Sequence, residues 1–262
     1  MAEVFPTGTV LFVGAGPGDP ELITVKGFKA LQQADVVVYA GSLVNPALLD
    51  ACSEGCEIHD SAPLNLDQVL AILIAGCRAG KRVVRLHTGD PALYGAIQEQ
   101  MEALDAAAVD YAVVPGVTAT FAAAASLRQE LTLPGVSQSL VLTRLAGRTP
   151  VPAAEELSRI AANGGTLCLY LSVGMMETLV AELLAGGHFT EKTPAAVVYR
   201  ASWPDERIVE GTLANIAARV AAADIDRQAL VLVGDVLAAR RAGVPEKSKL
   251  YDPHFSHGYR RA

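Results

Sequence analysis

The residues best suited to chemistry lie in short turns that follow apolar runs. Val13-Gly14-Ala15-Gly16-Pro17-Gly18-Asp19 is the first of them. A dinucleotide fingerprint needs G-x-G-x-x-G, whereas the third glycine here arrives one position early. Pro17 lacks the N–H that a phosphate cradle would use, and Asp19 sets a negative charge where pyrophosphate would lie. No Gly-Lys-Ser/Thr ending supplies a P-loop. These residue types describe a tight turn that brings backbone close to a ligand without phosphate. Gly18-Asp19-Pro20-Glu21-Leu22 and Gly89-Asp90-Pro91-Ala92-Leu93 share a second pattern, and Asn45-Pro46-Ala47-Leu48 repeats it without the glycine. Asp or Asn accepts from the free N–H groups of a first helical turn, and Pro tolerates that position, so Asp19, Asn45 and Asp90 are expected helix caps. A ligand can use the same place, because open α/β sheets bind at the carboxyl ends of their strands. No Ser-His-Asp or Cys-His set is apparent.

Positioning such turns requires strands before them and helices after them. Short β-branched runs occur at Thr9–Val13, Asp35–Tyr39, Arg82–His87 and Asp110–Val114, then at Ser139–Leu142, Thr166–Leu171, Ala195–Tyr199, Arg207–Gly211 and Ala229–Val233. Between them, Leu22–Gln33, Leu66–Ala79, Leu93–Ala106, Thr118–Leu127, Ala153–Ala162, Met175–Leu184 and Leu213–Ala222 have helix-like composition. The alternation predicts an α/β fold with parallel strands. Leu131-Thr132-Leu133-Pro134-Gly135 breaks the rhythm, which predicts two α/β domains, 1–136 and 137–262. The segment from Glu246 onward has no clear period and reads as a surface extension.

Composition narrows the partners. The chain has 262 residues, half of them hydrophobic, with 21 Lys+Arg against 28 Asp+Glu and a net charge of −7. A chain this long buries roughly three quarters of its unfolded surface and needs no metal or disulfide staple. An acidic chain without a Lys/Arg block is a poor match for nucleic acid or an anionic membrane. No apolar run reaches the ~18 residues that span a bilayer, and no basic n-region opens a signal peptide. Cys52, Cys56, Cys77 and Cys168 form no C-x-x-C pair, and no His-x-x-x-His completes a zinc set, so reduced thiols in a cytoplasmic protein and no bound metal are expected.

Taken in order, several segments resemble the tetrapyrrole methylase family. They are Gly14-Ala15-Gly16-Pro17-Gly18-Asp19 with Leu22-Ile23-Thr24 and Ala34-Asp35-Val36-Val37, then Gly89-Asp90-Pro91 with Tyr94, then Pro115-Gly116-Val117-Thr118-Ala119, and finally Ala229–Val236. Tyr39-Ala40-Gly41-Ser42-Leu43-Val44 lacks the Asp that uroporphyrinogen-III methyltransferases carry after the Tyr. With His87–Ala96 and Ser248–Pro253, it is similar to the branch that methylates C11 of precorrin-4 in cobalamin biosynthesis. The resemblance covers essentially the whole chain. It implies a C-methyltransferase, two α/β domains with a cofactor cleft between them, and a homodimer. It also implies S-adenosylmethionine, a donor with no phosphate, and a tetrapyrrole substrate. Precorrin-4 is preferred to its cobalt form, with uroporphyrinogen III as an alternative. A nucleotide-binding oxidoreductase and a non-catalytic module are the competing classes.

Carried over position by position, the resemblance places Pro17, Thr88, Gly89, Asp90, Leu93, Thr118, Ala119, Leu171 and Ala201 against the cofactor. Leu171 replaces a Met common at its position. Asp90 and Tyr94 are candidate catalytic residues near the reacting carbon, and His87 is a neutral donor, a proton carrier or a hydrogen-bonded structural histidine. The substrate's acetate and propionate groups suit arginine, which binds carboxylate with two parallel hydrogen bonds. Arg85, Arg128, Arg144, Arg148 and Arg200, near predicted strand ends or loops, are the candidates.

Overall fold

Every apolar run expected as a strand forms one in the structure, a computed structural model that describes residues 4–243 and 246–261. The first half contributes β1 (Thr9–Gly14), β2 (Val36–Tyr39), β3 (Glu57–Asp60), β4 (Val83–His87) and β5 (Asp110–Val114). They make one five-stranded parallel sheet in the order β3-β2-β4-β1-β5. Parallel strands covered on both faces need apolar side chains on both, which explains runs such as Val-Leu-Phe-Val and Val-Val-Val. One face joins Leu11, Val13, Val37, Val84 and Leu86 to Leu31 of α1 (Val25–Gln33). The other joins Val10, Phe12, Val36, Val38 and Val83 to Leu73 of α2 (Leu66–Arg78) and Leu104 of α3 (Ile97–Ala106).

Several boundaries differ from expectation. β3 was not expected, because Glu-Ile-His-Asp has no apolar run; it is an edge strand that pairs only with β2. α1 starts at Val25 rather than Leu22, because Pro20–Leu22 closes as a separate 3-10 turn and Thr24 Oγ1 then accepts from Gly27 N at 3.1 Å. α3 starts at Ile97 rather than Leu93, since Tyr94 (φ 55°) and Ala96 (φ 49°) are left-handed and a right-handed helix cannot run through them.

The second half contains α4 (Ala119–Leu127), β6 (Leu140–Arg144), α5 (Leu157–Ala161), β7 (Thr166–Tyr170), α6 (Met176–Ala185), β8 (Pro194–Tyr199), β9 (Arg207–Thr212), α7 (Ile216–Ala222), β10 (Ala229–Val233) and α8 (Val236–Ala242). Its sheet runs β6-β7-β10-β8-β9. Only β6 and β7 are parallel, which corrects the expectation of parallel strands throughout. β8 and β9 have no helix between them, so they pair antiparallel as a hairpin.

The described residues divide into two compact units: up to Ala122 together with Ala201–Asp205, and Ala123–Arg200 together with the chain from Glu206. The division falls earlier than the Leu131–Gly135 break. Thr166 Oγ1 at the start of β7 donates to Leu131 O at 2.8 Å, and Ser126 Oγ donates to Glu206 at 2.6 Å. Those bonds place the stretch before residue 136 with the second sheet. Among the described residues no helix is long and apolar enough to cross a membrane.

Candidate active site

Three turns meet as bare backbone where β1, β4 and β5 end. Gly89 N donates to Gly16 O at 2.8 Å, Gly16 N donates back to Gly89 O at 3.3 Å, and Ala15 N donates to His87 O at 2.7 Å. A Cβ on Gly14 would lie 2.5 Å from Gly116 Cα and 2.6 Å from Gly89 O, and a Cβ on Gly116 would run into Gly89 O. Gly14 and Gly116 are therefore needed for close approach, not for an unusual φ. Asp90 ties the junction together: Oδ2 accepts from Gly116 N at 2.9 Å and Oδ1 from Ala92 N at 2.8 Å. No helix opens directly after Asp90, so the expected cap is instead a brace between two turns. Each of its carboxylate oxygens accepts a backbone N–H, which gives Asp90 a bracing role at the junction beside the catalytic one expected of it.

The other capping expectations are met, with additions. Asp19 Oδ1 accepts from Glu21 N at 2.9 Å and Asn45 Oδ1 from Ala47 N at 3.0 Å. Asn45 also donates through Nδ2 to Gly18 O at 2.8 Å, holding the glycine turn from the side. Ser202 and Trp203 were not singled out, yet both belong to this unit and hold the same turn. Asp19 N donates to Ser202 Oγ at 3.0 Å, and Trp203 Nε1 donates to Pro17 O at 3.0 Å. The available signal was that Trp203 is the chain's one tryptophan and sits two residues after the candidate Ala201.

Of the expected cofactor residues, Pro17, Thr88, Gly89, Asp90, Leu93, Thr118, Ala119 and Ala201 all fall in the first unit. Pro17, Gly89 and Ala201 are buried, while the others are half-buried. Thr118 Oγ1 accepts from Thr120 N at 3.4 Å and Thr118 O accepts from Phe121 N at 3.1 Å, so this residue also opens α4. Leu171 belongs to the second unit, at the end of β7, left-handed at φ 53° and 69% exposed. Tyr94 stands on the strained turn after Asp90, 45% exposed.

The arginines separate by environment. Arg85 is only 7% exposed; its Nε donates to Gln100 Oε1 and its Nη1 to Val38 O, both at 3.2 Å. By strand alternation it faces α2 and α3, and burial pulls its pKa down to about 10. It is thus a buried structural arginine and leaves the set expected to hold substrate. Arg144 braces the loop after β6 through Leu145 O, Thr149 O and Pro150 O, at 3.3, 3.1 and 2.6 Å. Arg128 and Arg148 are exposed and Arg200 is half-buried; all three lie in the second unit. His87 shares the Arg85 face of β4. It is 5% exposed, and its Nε2 has no hydrogen-bond partner among the described residues. Burial, then the neighbouring Arg85 charge, pushes its pKa down to about 3, so it is neutral at ordinary pH. The partnerless Nε2 departs from the hydrogen-bonded structural histidine that was expected.

A phosphate would find little at this junction: Pro17 is buried without an N–H, and a carboxylate occupies each turn at Asp19 and Asp90. A phosphate-free ligand approaching bare backbone fits. The model for tetrapyrrole (corrin/porphyrin) methylases matches residues 9–217. The chain is 50% identical to a cobalt-precorrin-4 C(11)-methyltransferase of Methanocaldococcus jannaschii over 97% of this chain and 96% of that one. It is 49% identical to a precorrin-4 C(11)-methyltransferase of Pseudomonas aeruginosa over 96% and 98%. Among solved structures, a cobalt-precorrin-4 methyltransferase of cobalamin biosynthesis superposes with a TM-score of 0.86 at 45% identity, covering 90% of this chain and 99% of the other. A uroporphyrin-III C-methyltransferase from Thermus thermophilus complexed with S-adenosylhomocysteine superposes at 0.73 and 30% identity, covering 87% and 93%. The glycine junction, the two sheets and this full-length likeness agree: the chain belongs to the tetrapyrrole methylase family.

Proposed function

We propose that the chain is a C-methyltransferase that methylates C11 of precorrin-4 with S-adenosylmethionine, giving precorrin-5 in cobalamin biosynthesis. The observation that carries this reading is the full-length likeness to relatives named for that reaction. Near-equal relatives carry the metal-free and the cobalt name, so the proposal covers both forms, the metal-free one first. The oxidoreductase alternative loses its basis, because Pro17 offers no N–H and Asp19 and Asp90 set carboxylates where pyrophosphate would lie.

S-adenosylmethionine supplies a methyl already activated on a sulfonium, so the chain need not provide a nucleophile. Its task is to orient and to exclude water, and fixing two reactants in line is worth up to about 7–11 kcal/mol. Pro17, Thr88, Gly89, Leu93, Thr118, Ala119, Leu171 and Ala201 are the residues proposed to hold the donor. Asp90 acts one step back by fixing the turns that carry them. Tyr94, exposed on its turn, is the proposed polar group on the substrate side, where its hydroxyl would orient the macrocycle. Arg128, Arg148 and Arg200, with the partly engaged Arg144, are proposed to hold the substrate's carboxylates. A cytoplasmic homodimer is the proposed working state; a second copy would cover the exposed Val113 of the β5 edge and the exposed Phe121 of α4.

Methyl-labelled S-adenosylmethionine incubated with the protein and precorrin-4, in parallel with the cobalt complex, tests the reaction. Carbon-13 at C11 of the product is expected. Label at any other ring carbon, or no transfer to either form, overturns the assignment.

A further inference from the structure

Two consecutive residues, Ser202 and Trp203, grip three consecutive residues of the glycine turn. Trp203 Nε1 donates to Pro17 O and Ser202 Oγ accepts from Asp19 N, each at 3.0 Å. Between those bonds the indole lies on Gly18 so closely that a Cβ there would overlap Cδ1 and Nε1 of the ring. The third glycine, which came one position too early for a dinucleotide, is therefore explained by the tryptophan: it leaves room for an indole, not for a phosphate. The gripping segment is itself held in a costly shape. Arg200 (φ 48°) and Ser202 (φ 69°) are both left-handed without being glycine, and Ala201 is buried between them. Such outliers persist only where surrounding contacts over-determine them, and they concentrate where ligands are clamped.

We propose that Trp203 is a positioning residue for the methyl donor: its ring and N–H set the shape of the Pro17–Asp19 turn. The proposal rests on the reading that this turn contacts S-adenosylmethionine. Trp203 acts through Pro17 and Gly18 and need not touch the reacting methyl. Without the indole the turn samples other shapes, and donor binding must first restore the right one, which weakens binding in proportion to the fraction of chains holding it. Once the donor is bound the reacting atoms are placed as before, so the defect belongs in KM for the donor and not in kcat.

The test uses the full chain with S-adenosylhomocysteine as probe, by calorimetry and by emission of the chain's single tryptophan. Wild type is expected to bind with a change in emission. Trp203→Ala should weaken binding about tenfold, the scale of one well-placed hydrogen bond and its packing, and raise KM for S-adenosylmethionine similarly with kcat little changed. Trp203→Phe, which keeps a ring on Gly18, should recover part of the loss. Gly18→Ala should weaken binding in the wild-type background yet add little in Trp203→Ala, because the ring it would strike has gone. Wild-type binding with unchanged affinity in Trp203→Ala, or strictly additive effects of the two substitutions, overturns the positioning role alone. Absence of binding by wild type overturns the methyl-donor reading instead. If Trp203→Ala fails to fold, Trp203→Phe and Gly18→Ala decide by the same measurements, and wild-type affinity in both sinks the proposal.

Discussion

Asp90 holds amides from two different turns, so its loss should be felt in stability and activity together. Asp90→Ala strands the Gly116 N–H and frees the turn before Leu93; a destabilisation of about 1–3 kcal/mol is expected. Urea titration and donor-dependent turnover check it, and an unchanged midpoint with full activity would refute the bracing role. Gly116→Ala is harsher in effect on the site, because its Cβ meets main-chain oxygen that cannot rotate away. Loss of S-adenosylhomocysteine binding by more than about tenfold is expected, the signature of turns forced apart. The residue types in these turns were legible from sequence. The partners were not: nothing local says that Asp90 reaches Gly116, or that the early glycine makes room for Trp203, since both contacts join distant parts of the chain.

At the scale of elements, β4 carries an unusual burden. Its outward alternation puts Arg85 and His87 beneath α2 and α3, where valine or leucine would be ordinary. His87 is held neutral, its pKa moved from 6.5 to about 3. As pH falls below 6.5 the unfolded chain takes up a proton that the fold resists until about pH 3, so stability falls with acid at up to about 1.4 kcal/mol per pH unit. His87→Phe should reduce that dependence between pH 6.5 and 4. Parallel urea titrations at those two values measure the difference, and identical slopes would show that the imidazole is not protected. The strand itself was plain in the sequence from its valines. β3 was missed because an exposed edge strand needs no apolar run, and the start of α3 because Tyr94 and Ala96 are not residues whose types announce a left-handed backbone.

For the whole molecule, a net charge of −7 opposes a polycarboxylate at long range. On the proposed reading close arginines offset this, because screening acts over about 8 Å at physiological salt while desolvated pairs are shielded much less. Replacing Arg128, Arg148 or Arg200 by Ala should weaken tetrapyrrole binding by about 1.5–3 kcal/mol if that residue holds a carboxylate, and leave S-adenosylhomocysteine affinity unchanged. Titrations with each ligand separate the two effects; unaltered tetrapyrrole affinity in all three variants would end the reading for those three arginines. The division of the chain into two halves was legible as a change of rhythm. Its position was not, and nor was the return of Ala201–Asp205 to the first unit.

That return has a consequence for synthesis on the ribosome. Asp90 and Gly116 are only 26 residues apart, but Pro17 and Trp203 are separated by 186. A nascent chain can close its glycine junction early and must then wait for the tryptophan, at 5–20 residues per second a delay of roughly 4–20 s. During that interval the Pro17–Asp19 turn lacks its clamp. Chains arrested midway between Gly116 and Trp203 should therefore be cut by protease at this turn, and should become resistant only when translation has passed the tryptophan.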